Sequence, residues 1–345
     1  MPRNPVLNQA LWLVAALVLT LFLIVLVTMP SGAPALSTLG ILFMGGLGSM
    51  SKFGQVLTVF VPLLLCAVGL LVPFSARLWN IGIEGQIVLG AIFATGATMP
   101  MTEGGPLHIA LALTAGMLGG LLWALLAGML KIWGRVHEIF SGLGLNFVAT
   151  GLTIWLIFGP WKRPGVASMS GTEPMHVSLW LDRIPGLAAS WTALGLALSA
   201  LILVAWLLLR TRWGLSLKAV GQNPQAARIF ELRPRRRILQ AFALCGALGG
   251  LAGAVQVLGV YHRLLPSISS GYGYTALLIG MMAGFRVLPV PLICFFFAVL
   301  NVGSIQLPLQ LGLDSSLSGV IQGLLVLSVF VTQGLRLWLT RREGC

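Results

Sequence analysis

Apolar stretches of about 20 residues, the length that crosses the hydrocarbon of a bilayer, recur along this chain from near its start to near its end. Such a segment must satisfy its own backbone polar groups, because no water is available at that depth. The chain is therefore expected to be an all-α polytopic integral membrane protein. Composition agrees: 57% of the 345 residues are hydrophobic, 8% are charged and mean hydropathy is +0.97, which excludes a soluble domain that needs a polar surface. The net charge of +13 comes with no nucleic-acid recognition module. It is assigned to loops retained in the cytoplasm beside membrane lipid, and not to nucleic acid.

Spans are expected at Leu11–Met29, Val56–Ala76, Glu84–Met99, Leu107–Trp133, Glu138–Phe158, Trp191–Leu209, Ile238–Tyr261, Tyr272–Arg286, Leu288–Leu307 and Leu317–Leu337. That gives about ten transmembrane helices. Leu39–Leu47 is too short to cross and reads as a peripheral or re-entrant helix. Leu11–Met29 follows Arg3 and lacks a small-residue cleavage pattern, so it reads as a retained helix with a cytoplasmic N-terminus. With both termini inside, only Lys52, Lys162, Arg163, Arg183 and Arg263 of the 21 Lys and Arg lie outside, which obeys the positive-inside rule. One transmembrane domain, residues 1–345, is the simplest organisation, with a cytoplasmic loop at 210–237 and an external loop at 159–190. Broken or short helices are expected around Gly82–Gly85 and Gly271–Pro291.

Two polar strings interrupt the apolar pattern. In the first, Lys218 to Glu231, Asn223 is a good N-cap, Pro224 suits the first helical position, and Gln225-Ala226-Ala227-Arg228 continue with helix formers. Arg210, Arg212, Arg233, Arg235, Arg236 and Arg237 surround it with positive charge. It reads either as a solvated helix that fixes topology or as a docking surface. The second string is Asn80-Ile-Gly-Ile-Glu-Gly-Gln86, whose Glu84 is expected to be the most deeply placed carboxylate. Here Asn80, Glu84 and Gln86 either line or shape a solute pathway, or satisfy backbone where Gly82 and Gly85 permit a tight bend.

Asn80 to Gln86, Val136-His-Glu-Ile-Phe-Ser-Gly-Leu-Gly-Leu-Asn-Phe147, Gly221-Gln-Asn-Pro-Gln-Ala-Ala-Arg228 and Gly271-Tyr-Gly-Tyr274 together resemble, in order, four landmarks of one family. They are similar to those of permease subunits of bacterial ABC importers for nucleosides and simple sugars, the group related to ribose and branched-chain amino acid permeases. Gly159-Pro-Trp-Lys-Arg-Pro-Gly165 looks like the external loop of the nucleoside-type branch. The chain departs from that branch at Ser141-Gly-Leu-Gly144 and in the Met-rich Thr275 to Gly284 segment, where a translocation path is expected.

The resemblance implies a half-transporter in the bacterial cytoplasmic (inner) membrane. It would pair with a second, homologous permease, sit on two ABC ATPase subunits and receive solute from an extracytoplasmic solute-binding protein. Gly221, Gln222, Asn223, Pro224, Ala226, Ala227 and Arg228 would carry the coupling helix that inserts into the ATPase. Asn80, Glu84, Gln86, Asn146, Tyr272 and Tyr274 would belong to the translocation pathway. None of Lys52, Lys131, Lys162 and Lys218 lies in a P-loop pattern, so ATP and Mg belong to the partner and no cofactor or catalytic residue is expected in this chain.

Small-residue pairs Gly116/Gly120, Gly246/Gly250 and Gly249/Gly253 are expected to let helices approach closely. Cys66, Cys245, Cys294 and Cys345 are scattered, and His108, His137, His176 and His262 lack ligand spacing, so no metal site is expected. His137 and Asp314 read as helix caps, and the tryptophans, Trp79, Trp133, Trp161 and Trp180 among them, as interfacial anchors, with base stacking as the other possibility. The functional alternative is an ATP-independent secondary transporter or channel. Against it, Glu84 stands nearly alone where a proton relay needs several buried ionisable groups.

Overall fold

The computed structural model describes residues 35–101, 103–165 and 171–311, with scattered helical residues between 18 and 25 and between 320 and 335. Most of the expected spans Leu11–Met29 and Leu317–Leu337, and the Asp314 cap, lie outside the described residues. Every regular element among the described residues is helical. In order the α-helices are α1 (Ala35–Leu47), α2 (Met50–Ser75), α3 (Ile83–Thr98), α4 (Pro106–Ile132), α5 (Glu138–Phe158), α6 (Trp191–Arg210), α7 (Arg212–Gln222), α8 (Pro224–Ile229), α9 (Pro234–Val255), α10 (Tyr272–Met282), α11 (Val290–Ser304) and α12 (Gln306–Leu311).

Among the described residues, five helical stretches are long and apolar enough to cross a membrane: α2, α4, α5, α6 and α9 with its π-helical extension to Tyr261. Helices α3, α10 and α11 are apolar but shorter. The expected span Tyr272–Arg286 is helical only to Met282, because Gly284 and Phe285 both turn into the left-handed region at φ 58°. Leu39–Leu47 falls within a 13-residue helix.

The chain divides into two compact units. One consists of Met1–Val56 with Phe295–Cys345, the other of Leu57–Cys294. In the first, Gly45 and Gly46 of α1 lie against the backbone of Gly303 and against Val299 of α11. The rings of Phe43 and Phe296, and of Phe53 and Phe295, each approach to 6.4 Å.

The second unit is built around α3, which packs against α4, α5 and α9. Nearly all of its side chains are buried, including those of Ile83, Ile87, Ala91 and Ala94. A 16-residue helix rises only about 24 Å, too short for the hydrocarbon core, but it is packed on most sides by other helices of the protein. Helix α4 shows how the packing is made. Leu107, Leu111, Leu118, Leu122 and Leu126 are exposed along one face, while Ala112, Gly116, Gly119, Gly120, Ala124 and Gly128 are buried on the other. Large residues face outward and small ones inward, as expected where lipid replaces water and close backbone approach drives association.

At the centre, Gly116 and Gly120 of α4 meet Gly246 and Gly250 of α9, and Gly90 of α3 meets Gly250 from the other side. A Cβ at Gly120 would lie 2.6 Å from the Cα and N of Gly250, and closer still to the Gly246 carbonyl. The three helices can cross there only because these positions carry no side chain. Gly151 and Gly195 differ, with nothing within 4 Å of a Cβ. Gly120→Val should therefore destabilise the chain by about 1–3 kcal/mol through overpacking. Gly151→Ala should be neutral or stabilising by about 0.5–1 kcal/mol. Thermal unfolding of the purified variants in detergent checks the contrast.

Candidate functional site

Between α2 and α3 the chain turns through Ala76–Gly82, and between α9 and α10 through His262–Gly271. Both breaks expose backbone donors that the bilayer cannot satisfy. Side chains named from the sequence fill that need. Glu84 accepts the N–H of Gly273, in the first turn of α10, at 2.8 Å. Asn146 of α5 accepts the N–H of Gly85 at 2.8 Å and donates to the carbonyl of Ile81 at 3.1 Å. The same amide reaches the hydroxyl of Tyr274 at 3.3 Å, so α3, α5 and α10 meet at one side chain.

Asn80 and Gln86 are buried to 1% and 0% exposure and bond to each other in both directions, at 3.1 and 3.0 Å. Asn80 also reaches the Cys245 sulfur of α9 at 3.1 Å. Their amides are thus spent on bracing the turn. Tyr272 is buried at 7%, whereas Tyr274 is 43% exposed and presents its ring outward. Glycine permits the close fit: a Cβ at Gly273 would fall 2.9 Å from Glu84 Cα, and one at Gly85 would fall 2.9 Å from Asn146 Oδ1. The six residues expected on a pathway therefore lie in one polar knot and its rim. The sulfur of Cys245 is a member that the sequence pattern did not single out.

The basic loop folds as two helices. Asn223 caps α8 by accepting the N–H groups of Gln225 and Ala226 at 2.9 and 3.0 Å. It is extended at φ −151°, as the residue before a proline tends to be, and so ends α7. The expected helix from Gln222 to Arg228 is accordingly divided: Gly221 and Gln222 close α7, and Pro224, Ala226, Ala227 and Arg228 lie in α8. Ala227 faces inward at 3% exposure, while Ile229 and Phe230 stand out at 82% and 77%. Gly221 fits against Ala76, with the position of a Cβ 2.7 Å from Ala76 Cα, so the end of α7 touches the turn that leads to Asn80. At the neighbouring turn Lys131 pairs with Glu138, and His137 caps α5 by accepting the N–H of Ile139 at 3.4 Å.

The loop after α5 is stitched to the end of α9. Thr172 and Leu264, Met175 and His262, and Leu181 and Leu258 are joined through backbone bonds of 2.8–3.1 Å. His262, left-handed at φ 55°, stacks on Trp180 at 3.7 Å and 9°. Its Nδ1 donates to the Leu258 carbonyl at 3.1 Å, and its Nε2 accepts from Arg183 at 3.0 Å. Trp180 is therefore held within this latch. Among the described residues no group of His, Cys, Asp or Glu could hold a metal ion.

A family model described as the branched-chain amino acid transport system permease component matches residues 53–330. A glucose ABC transporter permease protein of Haloferax volcanii is 30% identical, over 85% of this chain and 80% of its own length. Two guanosine ABC transporter permease proteins of Bacillus subtilis are also similar. One is 24% identical over 93% of both chains, the other 27% identical over 63% of this chain and 70% of its own.

Two outcomes are expected. Glu84→Ala removes the acceptor for a buried N–H and should cost about 1.5–3 kcal/mol, whereas Glu84→Gln keeps an acceptor oxygen and should retain most of the stability. Thermal unfolding separates the two. Burial first, and the Arg183 charge second, hold the His262 pKa below the ordinary histidine value. The folded state then binds this proton less readily than the unfolded one. The latch is fully stabilising above about pH 6.5 and is lost as pH falls from there through the depressed value. Limited proteolysis of residues 171–190 should accelerate between about pH 7.5 and about pH 5. His262→Phe, which keeps a ring on Trp180, should remove that dependence.

Proposed function

The chain belongs to the family of branched-chain amino acid transport permease components, and from that membership we propose that it is the permease subunit of an ATP-driven ABC importer carrying a nucleoside or simple sugar inward. The observation that carries the mechanistic reading is the capped helix α8 with Ile229 and Phe230 exposed beside it. Two bulky apolar side chains in a basic loop are costly in water and suit a partner's groove.

In this reading α8 is the coupling helix, and separate ATPase subunits bind ATP and Mg and hydrolyse the nucleotide. A second permease completes the pathway, and an extracytoplasmic solute-binding protein delivers solute. The guanosine and glucose permeases among the relatives support the substrate class, and the two Bacillus guanosine permeases support pairing of unlike permeases. The chain is read as one multi-pass domain of the cytoplasmic membrane with about ten crossings, both termini and loop 210–237 inside, and loop 159–190 outside. That orientation follows the asymmetry of Lys and Arg.

Access alternates when ATPase closure displaces α8. The cap at Asn223 passes the displacement to α7, and the Gly221 contact passes it to the turn before Asn80. Asn80, Glu84 and Gln86 act by shaping the pathway, while Asn146 and Tyr274 stand at its edge. A carrier that works without ATP has no use for such a docking helix.

Ala227 is buried, so a bulky charge there would disturb the helix itself and not only its docking. Phe230→Asp is the cleaner test: co-purification of the ATPase should weaken at least about tenfold, with membrane insertion unchanged. Gly221→Val should keep the ATPase bound but abolish uptake into cells, because the added methyls strike the backbone of Ala76. Uptake at the wild-type rate by both variants refutes the coupling route.

A further inference from the structure

A cavity of about 370 Å³ opens where the end of α3 faces the loop after α5. Its walls come from Thr95, Thr98, Met99, Met101 and Met175, with Trp161 as the ring and Pro160, Pro164 and Pro174 beside it; Lys162, Glu173 and His176 supply the charged and imidazole groups. Its volume is within the range of small-molecule sites. Trp161 is half-buried and anchored: its backbone N–H donates to the Leu156 carbonyl at 2.9 Å. Gly96 leaves room for the ring, whose edge lies 3.5 Å from the position of a Cβ there. The indole thus packs against α3 at Gly96, and its exposed part is available as a stacking surface.

The polar groups discriminate between solutes. The hydroxyls of Thr95 and Thr98 already donate to the carbonyls of Ala91 and Thr95, at 2.8 and 2.9 Å. The wall therefore offers no uncommitted hydroxyl proton to a ring of sugar hydroxyls. Lys162 and Glu173 are exposed and form no ion pair among the described residues. They supply one donor and one acceptor to a ligand whose flat face stacks on Trp161. A nucleobase with neighbouring N–H and C=O groups meets both demands, with its ribose toward the opening.

We infer that this cavity is a nucleoside-binding site on the permease itself, distinct from the polar knot. It selects bases over plain sugars as solute arrives from the external side. The inference rests on the importer reading for its physiological role but not for its binding chemistry.

The test uses the full chain assembled with its partner subunits in nanodiscs, without the binding protein, and equilibrium binding of radiolabelled guanosine. Saturable guanosine binding that excess glucose does not displace is expected. Trp161→Ala should weaken it about tenfold and Trp161→Phe far less, in line with stacking. In right-side-out membrane vesicles, on a Cys345→Ser background, a cysteine placed by His176→Cys should react with a membrane-impermeant thiol reagent added from outside, and guanosine should protect it. Cys66, Cys245 and Cys294 are buried. Guanosine affinity unchanged in Trp161→Ala, or equal displacement by glucose, overturns the assignment. Failure of the importer reading has a different signature, in which wild-type complex binds guanosine at this site but imports neither guanosine nor glucose with ATP.

Discussion

Everything in the larger unit depends on how the backbone is satisfied where helices break at membrane depth. An uninterrupted helix keeps its N–H and C=O groups paired, but each interruption exposes donors in a medium that cannot accept them. Here two side chains meet most of that demand. Glu84 takes the Gly273 N–H of α10, and Asn146 takes the Gly85 N–H of α3 while returning a bond to Ile81. Because each acceptor sits on a different helix from the donor it serves, satisfying the breaks also fixes how three helices are placed. A carboxylate at this depth is tolerable only with such partners. The same bonds make Glu84 a structural anchor more than a proton carrier.

The packing around that knot follows from side-chain size. Helix α3 is enclosed because glycines on α4 and α9 let their backbones come close, and the leucines of α4 are left to face lipid. A crossing made of backbone against backbone has little slack.

The helical class, five of the long crossings and most of their limits were legible because a 20-residue apolar run admits few alternatives in a bilayer. The ends of α5 could be read to the residue, since His137 and Gly159 flank a predominantly apolar run. The Asn223-Pro224 signal placed the start of α8 correctly, but it also implied a break before it that a single coupling helix overlooks. Tyr272–Arg286 was read too long because apolar character continues through Ala283, Gly284 and Phe285, and only the backbone reveals the left-handed turn. The polar knot was legible as residue types. Its wiring was not, since Asn146 lies 61 residues from Gly85 in sequence and Glu84 lies 189 from Gly273. The latch of Trp180, Arg183 and His262 left no local signal, because its members are spread across two loops and each alone resembles an interfacial residue.

The strengths of the contacts within the knot suggest where it parts when access alternates. Helices α3 and α10 are joined by the 2.8 Å bond from the Gly273 N–H to Glu84, and α3 and α5 by two bonds from one amide, at 2.8 and 3.1 Å. Among the described hydrogen bonds, α5 and α10 are linked by the neutral contact from Asn146 to the Tyr274 hydroxyl at 3.3 Å. Separating α10 from α5 therefore costs one weak bond, while separating either from α3 strands a buried N–H. On the coupling route proposed above, a displacement arriving at the turn before Asn80 would act on α3, the helix to which both others are tied. That ordering would have α3 and α10 move together as a capped pair past α5, with Tyr274, 43% exposed, as the residue that changes neighbours.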